Sequence, residues 1–335
     1  MPTKIPLLVL HDGAVDEFAS IALLMGPDFR ENFDLQGVIV VNGDCYGAPA
    51  VWVTRRILAM GGMENVKVGL SNTRAVNGFP WGYRQYPLVL NTMPALQEIL
   101  DLEKHPILDG DELIASIVKR ADQSSLVVLT LSGLTPLTHC MERNPTWWNK
   151  IKSLYWMGGA IGSHVGGNIS PDLVPDAPMH SEWNVFYDPF AARSVYENLR
   201  PAEIYQFPLN VTNSYPNDAS WIRSHLNPLA TSNRIIDFLA NAYSVVVPQG
   251  GACLWDVVTT IGLLNEVEGL DSKRTFFEYT DTELWVETNY GPNQGRIMDA
   301  KDKQGRTIKI ASAAKNHTTA KVRDYALNQW KSIAL

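Results

Sequence analysis

The segment Ile5 to Leu10 is an unbroken apolar run, and it stops abruptly at His11-Asp12-Gly13-Ala14-Val15-Asp16-Glu17. A strand buried on both faces reads as continuous apolar sequence, so this run predicts the centre of a parallel sheet. Gly13 provides a turn, and Asp16 is suited to cap the helix that follows. Asp12, Asp16 and Glu17 then converge at the carboxyl end of a strand, where open α/β sheets bind ligands. Acids so crowded repel one another unless a cation lies among them. The same residues also suit a helix N-terminus, whose dipole favours negative charge. Taken alone, the stretch leaves both readings open.

Downstream, strand and helix patterns alternate. Phe18 to Met25 has helical spacing and closes at Gly26-Pro27, and Leu35 to Val41 is a second apolar run ending in Asn42-Gly43-Asp44. Ala48 to Met60 reads as a helix stopped by Gly61-Gly62, and Val66 to Gly69 as a short third strand. Asp111 to Ala121 reads as a helix, Leu126 to Leu131 as a strand, and Thr135 as the cap of a helix with Pro136 in its first position. Leu154 to Met157 and Glu203 to Phe207 are further strands, and Asp188-Pro189 begins a helix. Ile235 to Val247 and Leu254 to Leu264 have helical patterns. Phe276 to Thr288 alternates like antiparallel strands, and a last helix falls near Lys321 to Ser332. This order predicts an α/β fold: an open, mostly parallel sheet flanked by helices. With no repeat, low-complexity tract or linker, residues 1–335 are expected to form one domain.

Between Ser71 and Gly110 the periodicity fails, around the aromatic and Gly/Pro-rich stretch Asn77 to Pro87. Loops of this length in compact domains tend to be functional. The stretch suits either a lid over a flat ligand or an aromatic cluster packed under the surface.

Composition narrows the function classes. The formal charge of −7 argues against a basic nucleic-acid-binding face. The three cysteines are odd in number and widely spaced, fitting neither a disulfide framework nor a zinc site. No apolar run approaches a membrane span, and the run before His11 is too short for a signal sequence. The expectation is a soluble, cytoplasmic protein. Polar residues at successive strand ends (Asp12, Asp16, Glu17, Asn42, the turn after Leu131) and Asp256 further on offer oxygen ligands suited to a hard cation such as Ca²⁺.

At these residues the chain resembles the inosine-uridine-preferring nucleoside hydrolase family. The likeness rests on His11 to Glu17, Met157-Gly158-Gly159-Ala160, Gly167-Asn168, Glu182-Trp183-Asn184 with Asp188-Pro189, and Trp255-Asp256. It implies a Ca²⁺-dependent enzyme that hydrolyses the N-glycosidic bond of ribonucleosides and assembles as a homodimer or homotetramer. By the same resemblance, Asp12 binds the metal and acts as general base on a water. Glu17, Asp256 and the backbone carbonyl of Leu131 complete the metal site. Asp16, Asn42, Asn168, Glu182 and Asn184 hold the ribose. Trp255 stands where the purine-preferring branch has a stacking aromatic, and Tyr83 where that branch has a second. Two positions depart from the family pattern: Leu10 replaces the first acid of the opening cluster, and Glu17 replaces an aspartate.

Three other expectations compete. One is broad or pyrimidine-preferring hydrolysis. Another is a nucleoside- or ribose-binding protein whose metal site is weakened by Leu10 and Glu17. An aspartate-nucleophile phosphatase is disfavoured because Leu10 occupies its nucleophile position.

Overall fold

The computed structural model describes residues 4–79, 84–97, 105–162, 165–172, 174, 176, 178–249, 252–265, 276–300, 305–315 and 317–333. Twelve strands are assigned among them: β1 Ile5–His11, β2 Phe33–Val40, β3 Val68–Leu70, β4 Leu108–Asp109, β5 Leu126–Leu131, β6 Ile151–Met157, β7 Glu203–Phe207, β8 Pro216–Asn217, β9 Ala252–Cys253, β10 Phe277–Val286, β11 Ile297–Asp299 and β12 Arg306–Ala313. Ten of these form one sheet in the order β11-β10-β12-β7-β6-β5-β1-β2-β3-β4, and β8 and β9 pair separately. Within the ten-stranded sheet, pairing is parallel from β12 through to β4 and antiparallel where β10 meets β11 and β12.

The chain begins in the middle of this sheet, runs outward through β2, β3 and β4, and returns to place β5 on the other side of β1. The direction of winding therefore reverses between β1 and β5. Crossover connections diverge at such a point and leave a crevice at the carboxyl ends of the strands. Burial explains why β1 lies there. Leu7 and Val9 pack into one apolar cluster with Val38, Val40, Leu129 and Leu131, while Leu8 and Leu10 pack into a second with Ile39 and Val128. Side chains alternate across a strand, so only a run apolar at every position can cover both faces.

The predicted α/β architecture is thus observed, with most element boundaries within a few residues of those expected. Two capping expectations are corrected. The helix Val15–Leu23 has Ala14 at its cap, and Asp16 lies inside its first turn. The helix Thr135–Arg143 is preceded by Leu134, and the Thr135 hydroxyl donates to Asp188 Oδ2 at 3.0 Å. In both cases a tertiary partner takes the side chain that local propensity assigns to the cap. The irregular stretch after Ser71 contains the short helix Tyr86–Leu90 and a 3-10 turn at Pro94–Leu96. No helix among the described residues is long and apolar enough to cross a membrane.

Candidate active site

A cavity of about 270 Å³ opens at the carboxyl edge of the sheet, over the ends of β1, β5 and β6. Its floor is acidic. Asp12, Asp16, Glu17 and Asp256 all line it, and all are buried. Gly13 makes the turn between β1 and the first helix with φ +90°, a backbone state that side-chain-bearing residues rarely adopt. The next helix begins two residues on, and its first turn carries Asp16 and Glu17.

One oxygen each from Asp16, Glu17 and Asp256 lies within 4.8 Å of the others. Asp256 comes from the helix Trp255–Asn265, and its backbone N–H donates to Asp16 Oδ2 at 3.3 Å, across 240 residues of chain. Asp12 lines the same floor beside this trio. Its Oδ2 also accepts from the Asp44 N–H at 3.1 Å. Leu131 ends β5 beside His11 in the ladder and lines the cavity.

The electrostatics match the crowding. Burial raises the Asp12 and Asp16 carboxyls above their usual range, opposed in part by hydrogen bonds. Glu17 and Asp256 are pushed well above it, first by burial and then by neighbouring carboxylates. Glu17 Oε2 and Asp256 Oδ1 are buried with no hydrogen-bond partner among the described residues. Buried acceptors without donors cost stability unless something positive or protonated meets them. A set of hard oxygen donors, partly unpaired and mutually repelling, fits a divalent cation such as Ca²⁺. Glu17 reaches the cluster despite its extra methylene. Leu10 is buried on the other sheet face among Leu8, Ile39 and Val41, so its side chain suits an apolar layer rather than an acid.

The side wall carries Asn168, Glu182 and Asn184. Glu182 accepts from the N–H groups of Gly159 at 2.8 Å and Asn184 at 3.0 Å, and burial raises its pKa to about 7. Asn184 Nδ2 donates to the Met157 carbonyl at 3.1 Å, and Asn168 Oδ1 accepts from the Trp183 N–H at 3.0 Å. These bonds fix the three polar side chains before any ligand arrives.

Asn42 is not among the residues that line the cavity. Its amide donates to the carbonyls of Ser71 at 2.6 Å and Thr73 at 3.2 Å, tying β2's end to the loop after β3. Asp44 lines the cavity instead, with its carboxylate accepting from the Tyr187 hydroxyl. Between them, Gly43 lets the Asp12 carboxylate lie against the turn: a Cβ there would sit 2.0 Å from Asp12 Oδ2. The signal was present in side-chain chemistry. An asparagine can donate to backbone carbonyls, and an aspartate cannot.

The aromatic wall is formed by Phe79, Tyr86, Trp183, Tyr243 and Trp255. Tyr83 lies outside the described residues. Phe79 lines the cavity and packs edge-on against Trp183 at 4.6 Å between ring centroids. The loop is anchored by Asn77, whose N–H and amide donate to the Tyr187 and Phe186 carbonyls at 2.9 and 2.7 Å. His11 lies behind the floor. Its Nε2 is 3.0 Å from Thr54 Oγ1, and burial lowers its pKa to about 3, so it remains neutral.

Comparison with known proteins decides the kinship. A family model described as inosine-uridine preferring nucleoside hydrolase matches residues 7–324. The chain belongs to this family. Among solved structures, an inosine-uridine preferring nucleoside hydrolase from Bacillus anthracis superposes with a TM-score of 0.81 at 27% identity, covering 99% of this chain and 100% of that one. A plant nucleoside hydrolase gives 0.76 at 17% identity, covering 97% and 99%. A purine-preferring ribonucleoside hydrolase from Gardnerella vaginalis gives 0.72 at 18%, covering 98% of each chain. The last two show likeness of fold alone. No curated protein matches the chain. The family and its structural relatives make this nucleoside hydrolase an enzyme that cleaves the N-glycosidic bond of ribonucleosides.

Proposed function

We propose that this nucleoside hydrolase is Ca²⁺-dependent and prefers purine ribonucleosides. The observation that carries the reading is the buried carboxylate cluster directly beneath a cavity walled by aromatic rings. Asp12, Glu17, Asp256 and the Leu131 carbonyl would hold the cation, with Asp16 close enough to share its charge. A hard dication bound there supplies positive charge that orients a water and lowers its pKa.

The chain's own residues do the rest. Asp12 takes the proton of the attacking water, as general base. Water oxygen bonds to the sugar C1′ as the C1′–N bond breaks, through an oxocarbenium-like transition state. The base leaves with that bond's electron pair and takes up a proton from solvent, balancing the one passed to Asp12. Asp16, Asn168, Glu182 and Asn184 accept from and donate to the ribose hydroxyls. Because their hydrogen bonds to backbone are already formed, little ordering remains when the sugar binds. Asp44, held by Tyr187, extends this polar wall beside Asp12. Trp255 faces the base, and stacking on a ring this size is worth about 1–3 kcal/mol per base.

The test is release of reducing sugar from inosine, adenosine, guanosine, uridine and cytidine, each with and without chelator. The expected result is faster purine hydrolysis, lost on chelation and restored by Ca²⁺. Faster uridine hydrolysis would overturn the purine preference, and full activity in chelator would overturn the metal requirement.

A further inference from the structure

Trp255 is only partly buried, yet its ring is held in one orientation. Its indole Nε1 donates to Asn213 Oδ1 at 2.7 Å, a contact spanning 42 residues of sequence. An indole attached through two rotatable bonds can present either face or its edge to a cavity. One short hydrogen bond at the ring edge removes that freedom, because rotation of the ring would break it.

Asn213 is suited to be the fixed end of this bond. It closes the short helix Leu209–Thr212, with its N–H donating to the Leu209 carbonyl at 3.1 Å. That helix follows β7 and is tied back to the sheet by Leu209 N–H to the Gly159 carbonyl at 2.8 Å. Beyond Asn213 the chain is stitched to the segment that carries Trp255. Pro216 and Asn217 pair with Cys253 and Ala252, and the Leu254 N–H donates to the Tyr215 carbonyl at 2.9 Å. The C-terminal helix holds the outer side: Thr319 Oγ1 donates to the Ser214 carbonyl at 2.9 Å, and Arg323 pairs with Asp218 at 3.2 Å. Asn213 is therefore a post set on the sheet, and the Trp255 ring hangs from it.

We propose that Asn213 is a positioning residue that sets the face of the Trp255 indole toward the cavity and thereby sets how well the site discriminates among nucleobases. This rests on the reading of Trp255 as the base platform. Asn213 itself touches neither sugar nor base. Its effect runs through the ring, so it should be felt most by ligands with the largest flat base and least by the ribose contacts.

A double-mutant cycle tests this, using Asn213→Ala, Asn213→Asp, Trp255→Phe and the Asn213→Ala/Trp255→Phe pair. KM and kcat are measured for inosine and uridine, with inosine binding followed by calorimetry. Asn213→Ala should raise the inosine KM by about threefold to tenfold, the range of one net hydrogen bond, and the uridine KM by less. Asn213→Asp, which keeps an acceptor at the same place, should retain the wild-type KM. Phenylalanine has no ring N–H, so in the Trp255→Phe background Asn213→Ala should add nothing further. An equal KM rise in that background, or an unchanged inosine-to-uridine ratio with a lower melting temperature, would reduce Asn213 to a structural staple and overturn the proposal. If inosine binds but is not hydrolysed, the hydrolase reading fails while the same cycle, read on Kd, still decides the role of Asn213.

Discussion

Asp12 and Glu17 reach the cavity from the end of the central strand and the first turn of the helix after it. Phe79, Tyr86 and Trp255 reach the same cavity from a loop, a short helix and the segment after β9. The two regions are built on different supports. Asp12 follows a strand paired on both sides, where the ten-stranded sheet reverses its winding, and the helices Val15–Leu23 and Trp255–Asn265 bring Asp16, Glu17 and Asp256 beside it. The rim is held by short elements and loop bonds: Asn77 to Tyr187 and Phe186, Trp255 to Asn213, and the two-residue pairing of β8 with β9 just before Trp255. On the proposed function, the step that tolerates least displacement falls to residues beside the sheet, and recognition of the base to residues on loops and short elements.

This contrast can be broken in three ways, in order of expected effect. Asp12→Ala should lower kcat by about 10²–10⁴-fold, the usual contribution of a general base, with circular dichroism unchanged. A near-normal rate would remove Asp12 from the floor's chemistry.

The second test uses the floor's charge. Without a cation, Glu182 and the cluster acids bind protons more tightly in the folded chain than in the unfolded one. The unfolded chain then carries fewer protons between the ordinary glutamate pKa and about 7, so stability falls as pH rises through that window. For Glu182 alone the loss is on the order of 3 kcal/mol. The melting temperature in chelator should be higher at pH 5 than at pH 8, and Ca²⁺ should raise it most at pH 8, where the carboxylates are ionised. A flat profile in chelator would show that the acids are not the strained element of the floor.

The smallest effect belongs to the rim. Trp255→Ala should cut kcat/KM for inosine by about tenfold more than for uridine, given the strength of base stacking. Equal losses for both would place Trp255 outside base recognition.

Much of the floor was legible in the sequence. An apolar run ending in Asp12-Gly13, followed by helical spacing, has few folded forms, because strand burial, glycine turn and helix start are all local demands. The resemblance to nucleoside hydrolases then pointed to Asp256, Glu182 and Asn184, and the structure brings all three to the same cavity. The rim was legible only in outline. The aromatic loop was recognisable as unusual, but Phe79 and Tyr86 were singled out only by their tertiary positions.

The sequence by itself determined the central strand and the acidic turn that follows it, since both depend on neighbours within a few residues. Tertiary structure turned Asn42 toward the carbonyls of Ser71 and Thr73, and Asp44 toward Tyr187 and the cavity. It also drew Asp16 away from a capping role toward the Asp256 N–H, and hung Trp255 from Asn213. In each case the deciding partner is distant in the chain, and a side chain's local preference yields to whichever buried donor or acceptor the fold leaves beside it.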